Sequence, residues 1–338
     1  MPEKYNTLLL VCTLTKTPMT NYALTLNDLP PPPEGRSGWP WTEEGPRMPG
    51  TMPDGSPWPP VSIVTPSFNQ GEFLEETMRS VLLQGYPNLE YIIIDGGSSD
   101  NTLDIIHKYE PCLAYWVSEP DRGQGHAINK GFDKANGQIF AWINSDDYYY
   151  PAVIFPVTHI FARDTNIGLV HAYEAYVGPD STLIHNTYPC FRNAKATTLY
   201  SGSTLLQLTC FWRSYCFRAV GGLDERLHYH MDYDLFLKLS YRYPSTYLQK
   251  CIGAFRRYPG QKTGPRNIER VREYKNVLER FLARQGICSW KNYLMRMIFS
   301  RYCRTRKFWP SHISALRYLF LSSRTVPSHK KANTGLRE

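Results

Sequence analysis

From Val61 onward the chain alternates short runs that are apolar at nearly every position with longer stretches whose apolar residues recur at helical spacing. That alternation limits the possible folds more than any other feature. Val61 to Pro66, Tyr91 to Asp95 and Ile139 to Ile143 have the length and residue types of strands buried on both faces. Glu72 to Gln84 and Asn101 to Tyr109 read as helices, and Ala114 to Val117 as a further short strand. Strands without a polar face need cover on both sides, and helical crossovers supply it. The pattern predicts an α/β fold with a mostly parallel central sheet and helices on both faces. Ligands of such sheets bind beyond the carboxyl ends of the strands.

The candidate chemistry falls at those ends. Pro66, Ser67, Phe68 and Asn69 follow the first strand, and Asp95, Gly96, Gly97, Ser98, Ser99 and Asp100 close the second. Asp95 can accept hydrogen bonds from a nucleotide base or ribose, or the segment is a plain turn in which Ser99 or Asp100 caps the next helix. Glu119-Pro-Asp-Arg-Gly-Gln-Gly-His is either a surface turn or a phosphate-side loop offering Arg122 and backbone amides. Asn144-Ser-Asp-Asp ends the third apolar run. Asp146 and Asp147 are hard oxygen ligands for Mg²⁺ or Mn²⁺, ions that take one or two protein carboxylates and leave other positions to water and substrate phosphate oxygens. The alternative is an Asp-Asp turn cap.

Other nucleotide-binding classes fit poorly. Gly123 and Gly125 begin a G-x-G, but residue 128 is Ile and the loop does not follow the first strand, as a dinucleotide fingerprint requires. No G-x-x-x-x-G-K-[ST] occurs, which excludes a P-loop NTPase. The eight cysteines contain no Cys-x-x-Cys pair and suit neither a zinc site nor a disulfide framework, so reduced cytosolic thiols are expected. Residues 1–60 read as an N-terminal segment and Pro-rich leader: Leu8 to Leu14 does not match a signal peptide, and Trp39, Trp41 and Trp58 are suited to lay residues 28–60 over the domain.

At this point whole blocks carry a resemblance. Val-Ser-Ile-Val-Thr-Pro-Ser-Phe-Asn-Gln (61–70), Ile-Ile-Ile-Asp-Gly-Gly-Ser-Ser-Asp-Asn-Thr (92–102), Trp-Val-Ser-Glu-Pro-Asp-Arg-Gly-Gln (116–124), Ala-Ile-Asn-Lys-Gly-Phe (127–132) and Ile-Asn-Ser-Asp-Asp (143–147) resemble, in order and spacing, the nucleotide-binding half of inverting family-2 glycosyltransferases of the GT-A fold. Phe211-Trp-Arg, Gly221-Gly-Leu-Asp-Glu and Met231-Asp-Tyr-Asp-Leu-Phe-Leu-Lys resemble the acceptor half. The resemblance spans residues 61–265. It implies a nucleotide-diphospho-sugar transferase whose donor site comprises Pro66, Ser67, Phe68, Asn69, Asp95, Arg122, Asn129 and Asp146. It also implies Asp146 and Asp147 as holders of a divalent metal (Mg²⁺ or Mn²⁺), and Asp232 as the catalytic base. Three positions depart from the family: Asn144 replaces the first Asp of the metal motif, Gly96 replaces a second Asp after Asp95, and Tyr258 replaces a frequent His. Leu235, Phe236, Leu237 and Leu239 read as the start of a buried helix, so Asp232 lies near its positive N-terminus, as a charged base or as a plain N-cap.

Charge divides the chain. Residues 1–253 carry 18 Lys/Arg against 26 Asp/Glu, and residues 254–338 carry 20 against 4. Residues 266–338 read as a basic helical extension with two amphipathic stripes: Val271, Tyr274, Leu278, Phe281 and Leu282, then Trp290, Tyr293, Leu294, Met297 and Ile298. The stripes either pack on the domain, or Lys291, Arg296, Arg301, Arg304, Arg306 and Lys307 bring the protein to an anionic membrane surface. No nucleic-acid-binding module accompanies the tail, and nucleic acid is not an expected partner. No segment is long and apolar enough to span a bilayer. The sequence thus predicts a cytoplasmic enzyme, with peripheral contact at the inner membrane face as the variant. It would take a UDP-, GDP- or dTDP-sugar to a glycan or lipid-linked acceptor in surface polysaccharide synthesis. A non-catalytic nucleotide-sugar or glycan binder on the same scaffold is the alternative.

Overall fold

Alternate residues of the apolar strands lie on opposite faces of one sheet, which is why the strands show no polar side. The computed structural model describes residues 23–189, 192–201, 205–262, 268–288, 292–295 and 297. The first half comprises β1 (Val61–Ser67), α1 (Leu74–Leu82), β2 (Leu89–Asp95), α2 (Thr102–Tyr109), β3 (Tyr115–Ser118), α3 (Gln124–Lys134) and β4 (Ile139–Trp142). There follow β5 (Tyr148–Tyr149), α4 (Ile154–Arg163), β6 (Leu169–Val177), β7 (Leu183–Thr187), a short α5 (Ala194–Ala196), β8 (Phe211–Arg213), α6 (Ser214–Ala219), α7 (Met231–Arg242), β9 (Ser245–Arg256) and α8 (Ile268–Arg284). Ile63, Tyr91 and Ile93 join the core under α1, with Met78 and Val81. Val64, Ile92 and Ile94 join the core under α3, with Ile128 and Phe132.

The strand order is β3-β2-β1-β4-β8-β6-β9-β5, with β7 on β6. The β3-β2-β1-β4 half is parallel, as the alternation predicts. The other half is mixed, so the sheet as a whole is less parallel than expected: β8 runs against both β4 and β6, β5 against β9, and β7 against β6, while β6 and β9 are parallel. Strand direction there is set by long connections, and nothing in a short apolar run such as Phe211–Arg213 encodes it. The parallel register brings Ser67, Asp95 and Ser118 level at one end of the sheet.

The leader is bound to α1 by a buried cation. Arg79 is wholly inaccessible, and its guanidinium donates to the carbonyls of Pro30, Pro40 and Trp41 and to the Tyr109 hydroxyl, at 2.8–3.0 Å. Proline-rich backbone keeps its carbonyls free of ladder hydrogen bonds, and Arg79 gathers them. Trp39 Nε1 donates to the Tyr149 carbonyl, and Trp58 is buried against Tyr86 and Phe155.

At the other end of the chain α8 packs Val277, Leu278, Phe281 and Leu282 into the core beside α7, while Ile268 and Val271 stay exposed. The first amphipathic stripe therefore packs on the domain. Of the second, Trp290 and Ile298 lie outside the described residues, as do Lys291, Arg296, Arg301, Arg304, Arg306 and Lys307. No helix among the described residues is long and apolar enough to cross a membrane.

Arg79→Leu should strand three carbonyls under the leader and lower stability by about 3 kcal/mol, read as the urea midpoint at unchanged slope. A shift below about 1 kcal/mol would show that the leader contributes little to the folded state.

Candidate active site

The carboxyl ends of β1, β2 and β3 meet around Asp95. Its carboxylate is fully buried and accepts from the N–H groups of Gly97 (3.1 Å) and Ser98 (2.9 Å) and from the hydroxyls of Ser98 (2.5 Å) and Ser118 (2.6 Å). Both oxygens are occupied in shaping the turn, where Gly97 holds φ +84°. The resemblance implies a nucleotide contact for Asp95; in this structure its carboxylate forms the floor of the turn that Gly97 and Ser98 stand on. Asn69, at φ 52°, laces the β1 end to the same turn by accepting from Ser99 N–H at 2.8 Å. Pro66 and Ser67 are buried, and the Ser67 hydroxyl has no hydrogen-bond partner. Phe68 is 60% exposed beside Gly96.

The loop entering α3 turns toward the acceptor half. Arg122 forms an exposed ion pair with Glu225 at 2.6 Å. Asn129 Nδ2 donates to the Leu223 carbonyl and to Glu225, and its Oδ1 accepts from Leu223 N–H. The expected donor-binding role of Asn129 does not match this placement, because its amide is spent on holding residues 223–225 against α3.

After β4 the chain makes a turn whose two carboxylates part company. Asp147 is buried, with Oδ1 accepting from Arg256 N–H at 3.0 Å. Burial and the neighbouring Asp146 push its carboxyl well above the usual range, and burial raises the Asp146 carboxyl as well. Asp146 is partly exposed, and the Tyr258 hydroxyl donates to its Oδ2 at 2.8 Å. Beneath them Arg256, wholly buried, pairs with Glu76 at 2.9 Å and donates to the Asp146 carbonyl at 2.9 Å. Thr77 donates to the carbonyls of Ser145 and Asp147. For the cation that the resemblance implies, Asp146 is the more accessible oxygen ligand, while Asp147 lies buried with Oδ1 already accepting from Arg256 N–H. No group of three or more His, Cys, Asp or Glu side chains suited to an ion occurs among the described residues, so water and substrate would have to complete the coordination.

On the opposite side Asp232 stands in the first turn of α7, half-buried, accepting from Tyr233 N–H at 2.7 Å. Burial raises its carboxyl to about 6, against the opposing pull of that hydrogen bond and of Arg270 and Lys262. The segment before α7 is gripped by α8: Glu273 accepts the N–H groups of His228 (2.9 Å), Tyr229 (2.7 Å) and His230 (2.7 Å). His230 Nε2 lies 3.0 Å from the Arg270 carbonyl. A polar chain runs from Lys262 to the turn after β4: Lys262 donates to Gln124 (3.1 Å), Gln124 to Asn144 (2.8 Å), and Asn144 approaches Asp147 at 3.4 Å.

Asp146 and Asp232 thus stand at element ends, the one accepting from Tyr258 and the other in the field of Arg270 and Lys262, while Asp95, Asp147 and Asn129 direct polar atoms at neighbouring residues. Gln124 and Glu273 were missed in the sequence. Gln124 carries no local signal because it meets Lys262 across 138 positions. Glu273 had one: it is among the 4 acids of a segment with 20 bases.

Known proteins resemble the chain along these same residues. The profile described as Glycosyl transferase family 2 matches residues 62–223. An uncharacterized glycosyltransferase of Rickettsia prowazekii is 30% identical over 230 residues, covering 66% of this chain and 72% of that protein. Chondroitin synthase of Pasteurella multocida is 30% identical over 241 residues, covering 69% of this chain but only 24% of that protein's length. The crystal structure of S. aureus TarS 1-349 in complex with UDP-GlcNAc superposes with a TM-score of 0.58 over 79% of this chain and 76% of that one, at 16% identity, a likeness of fold.

Asp146→Asn should lower turnover by about 10²-fold or more, whereas Asp147→Asn, at a side chain turned inward onto Arg256 N–H, should keep more of it. Turnover of both variants in graded Mn²⁺ checks this, and equal losses would return Asp147 to the ligand set.

Proposed function

Because the chain belongs to glycosyl transferase family 2, we propose that it moves a sugar from a nucleoside-diphosphate donor to an acceptor hydroxyl with inversion at the anomeric carbon. The observation that carries this reading is a pair of partly buried carboxylates, Asp146 just past a parallel strand and Asp232 in the first turn of a helix, with Lys262 acting on Asp232 and reaching the turn of Asp146 through Gln124 and Asn144. One carboxylate serves the leaving group and the other the nucleophile, which is the division an in-line displacement needs.

Asp232 takes the proton of the acceptor hydroxyl as that oxygen attacks the anomeric carbon, on the face opposite the diphosphate. The bond from the anomeric carbon to the diphosphate oxygen breaks, and its electrons leave with the nucleotide. Lys262 is the basic side chain of residues 255–262 that reaches the network, so it is suited to the diphosphate; Arg256 is sealed beneath the turn and Arg257 stacks on Tyr176. A divalent cation held by Asp146 would neutralise the leaving diphosphate. The chondroitin synthase relative supports a growing glycan as acceptor.

A carboxyl raised to about 6 by burial is ionised, and able to accept a proton, only above that pH. Transfer should therefore rise with pH through about 6 and level off above it, falling about tenfold per unit below. Asp232→Asn should cut transfer by about 10²-fold or more with donor affinity unchanged, by product assay and calorimetry on one preparation. Retained transfer would send the search for a base elsewhere; loss of donor binding together with transfer would make Asp232 a structural cap.

A further inference from the structure

Resting on the nucleotide-donor reading, we infer that Asp121 is the carboxylate that recognises the base of the donor, and that it selects a base presenting a ring N–H on its pairing edge: the imide of uracil or thymine, or the amide edge of guanine. A Cβ added at Gly96 would lie 2.8 Å from Asp121 Oδ2 and 3.4 Å from the Phe68 ring. A side chain at position 96 and the Asp121 carboxylate thus compete for the same space. The glycine found where the family often has a second Asp is what admits Asp121, delivered from the loop after β3 rather than from β2.

The surroundings fit a flat ligand. Asp121 Oδ1 is fixed by Gly123 N–H at 2.6 Å, which aims the side chain and leaves Oδ2 without a partner among the described residues. Phe68, 60% exposed at the end of β1, offers a ring on which a base can stack. The buried Ser67 hydroxyl beside it is unpartnered. Asp95 cannot perform the recognition, since both its oxygens are filled by Gly97, Ser98 and Ser118. An ionised carboxylate accepts an N–H and repels the bare lone pair that cytosine and adenine present at the same edge.

The test is calorimetric binding of UDP, dTDP, GDP, CDP and ADP to the full chain and to two variants. At least one of the first three should bind about tenfold or more tightly than CDP and ADP, the scale of one charged hydrogen bond. Asp121→Asn keeps the bond from Gly123 N–H but can present an N–H to the base, so it should erase or invert that preference. Gly96→Ala, which drives a methyl against Oδ2, should weaken the preferred nucleotide by a similar factor. A preference unchanged by Asp121→Asn, or tight CDP or ADP binding, overturns the assignment while leaving the donor reading intact. Binding of none of the five overturns both.

Discussion

The turn after β4 is held from below by one buried guanidinium. Arg256, near the end of β9, pairs with Glu76 of α1, donates through Nε to the carbonyl of Asp146, and uses Nη1 to reach the Pro179 carbonyl and the Ser181 hydroxyl. Its backbone N–H reaches Asp147, and its charge lies over the rings of Phe73 and Tyr148. A buried ion pair adds little net stability over an apolar substitute, but losing one partner leaves an uncompensated charge. The arrangement therefore serves position more than stability: α1, β9 and the loop after β6 are obliged to meet at one point, and the Asp146 carboxylate is aimed by what lies behind it.

The fold was legible where side-chain period reports burial. β1, β2 and β4 were found within two residues because both their faces are covered, so every position must be apolar. The reversed β8 was not, since its direction depends on connections rather than on its own three residues. The site was legible as positions and less so as roles. Asp146 and Asp232 stand at element ends, where backbone geometry leaves a side chain free to act. Asp95 and Asp147 occupy equally promising places in the sequence but turn inward, because Ser118 and Arg256 arrive from distant segments to claim their oxygens.

On the proposed function, the donor and acceptor sides differ in how they are built. Donor-side groups stand on the ends of neighbouring parallel strands, whose register is fixed by ladder hydrogen bonds. Asp232 stands on α7, outside the central sheet, and depends on α8 for its setting. The family profile ends at residue 223, before both helices.

Glu273 grips the segment before α7 entirely through main-chain N–H groups at 228, 229 and 230. A clamp that reads only backbone is indifferent to the side chains it passes, so the three bonds to Glu273 do not depend on which side chains stand at 228 and 229. The setting of the helix that follows and the character of the surface are in this way assigned to different atoms of the same few residues.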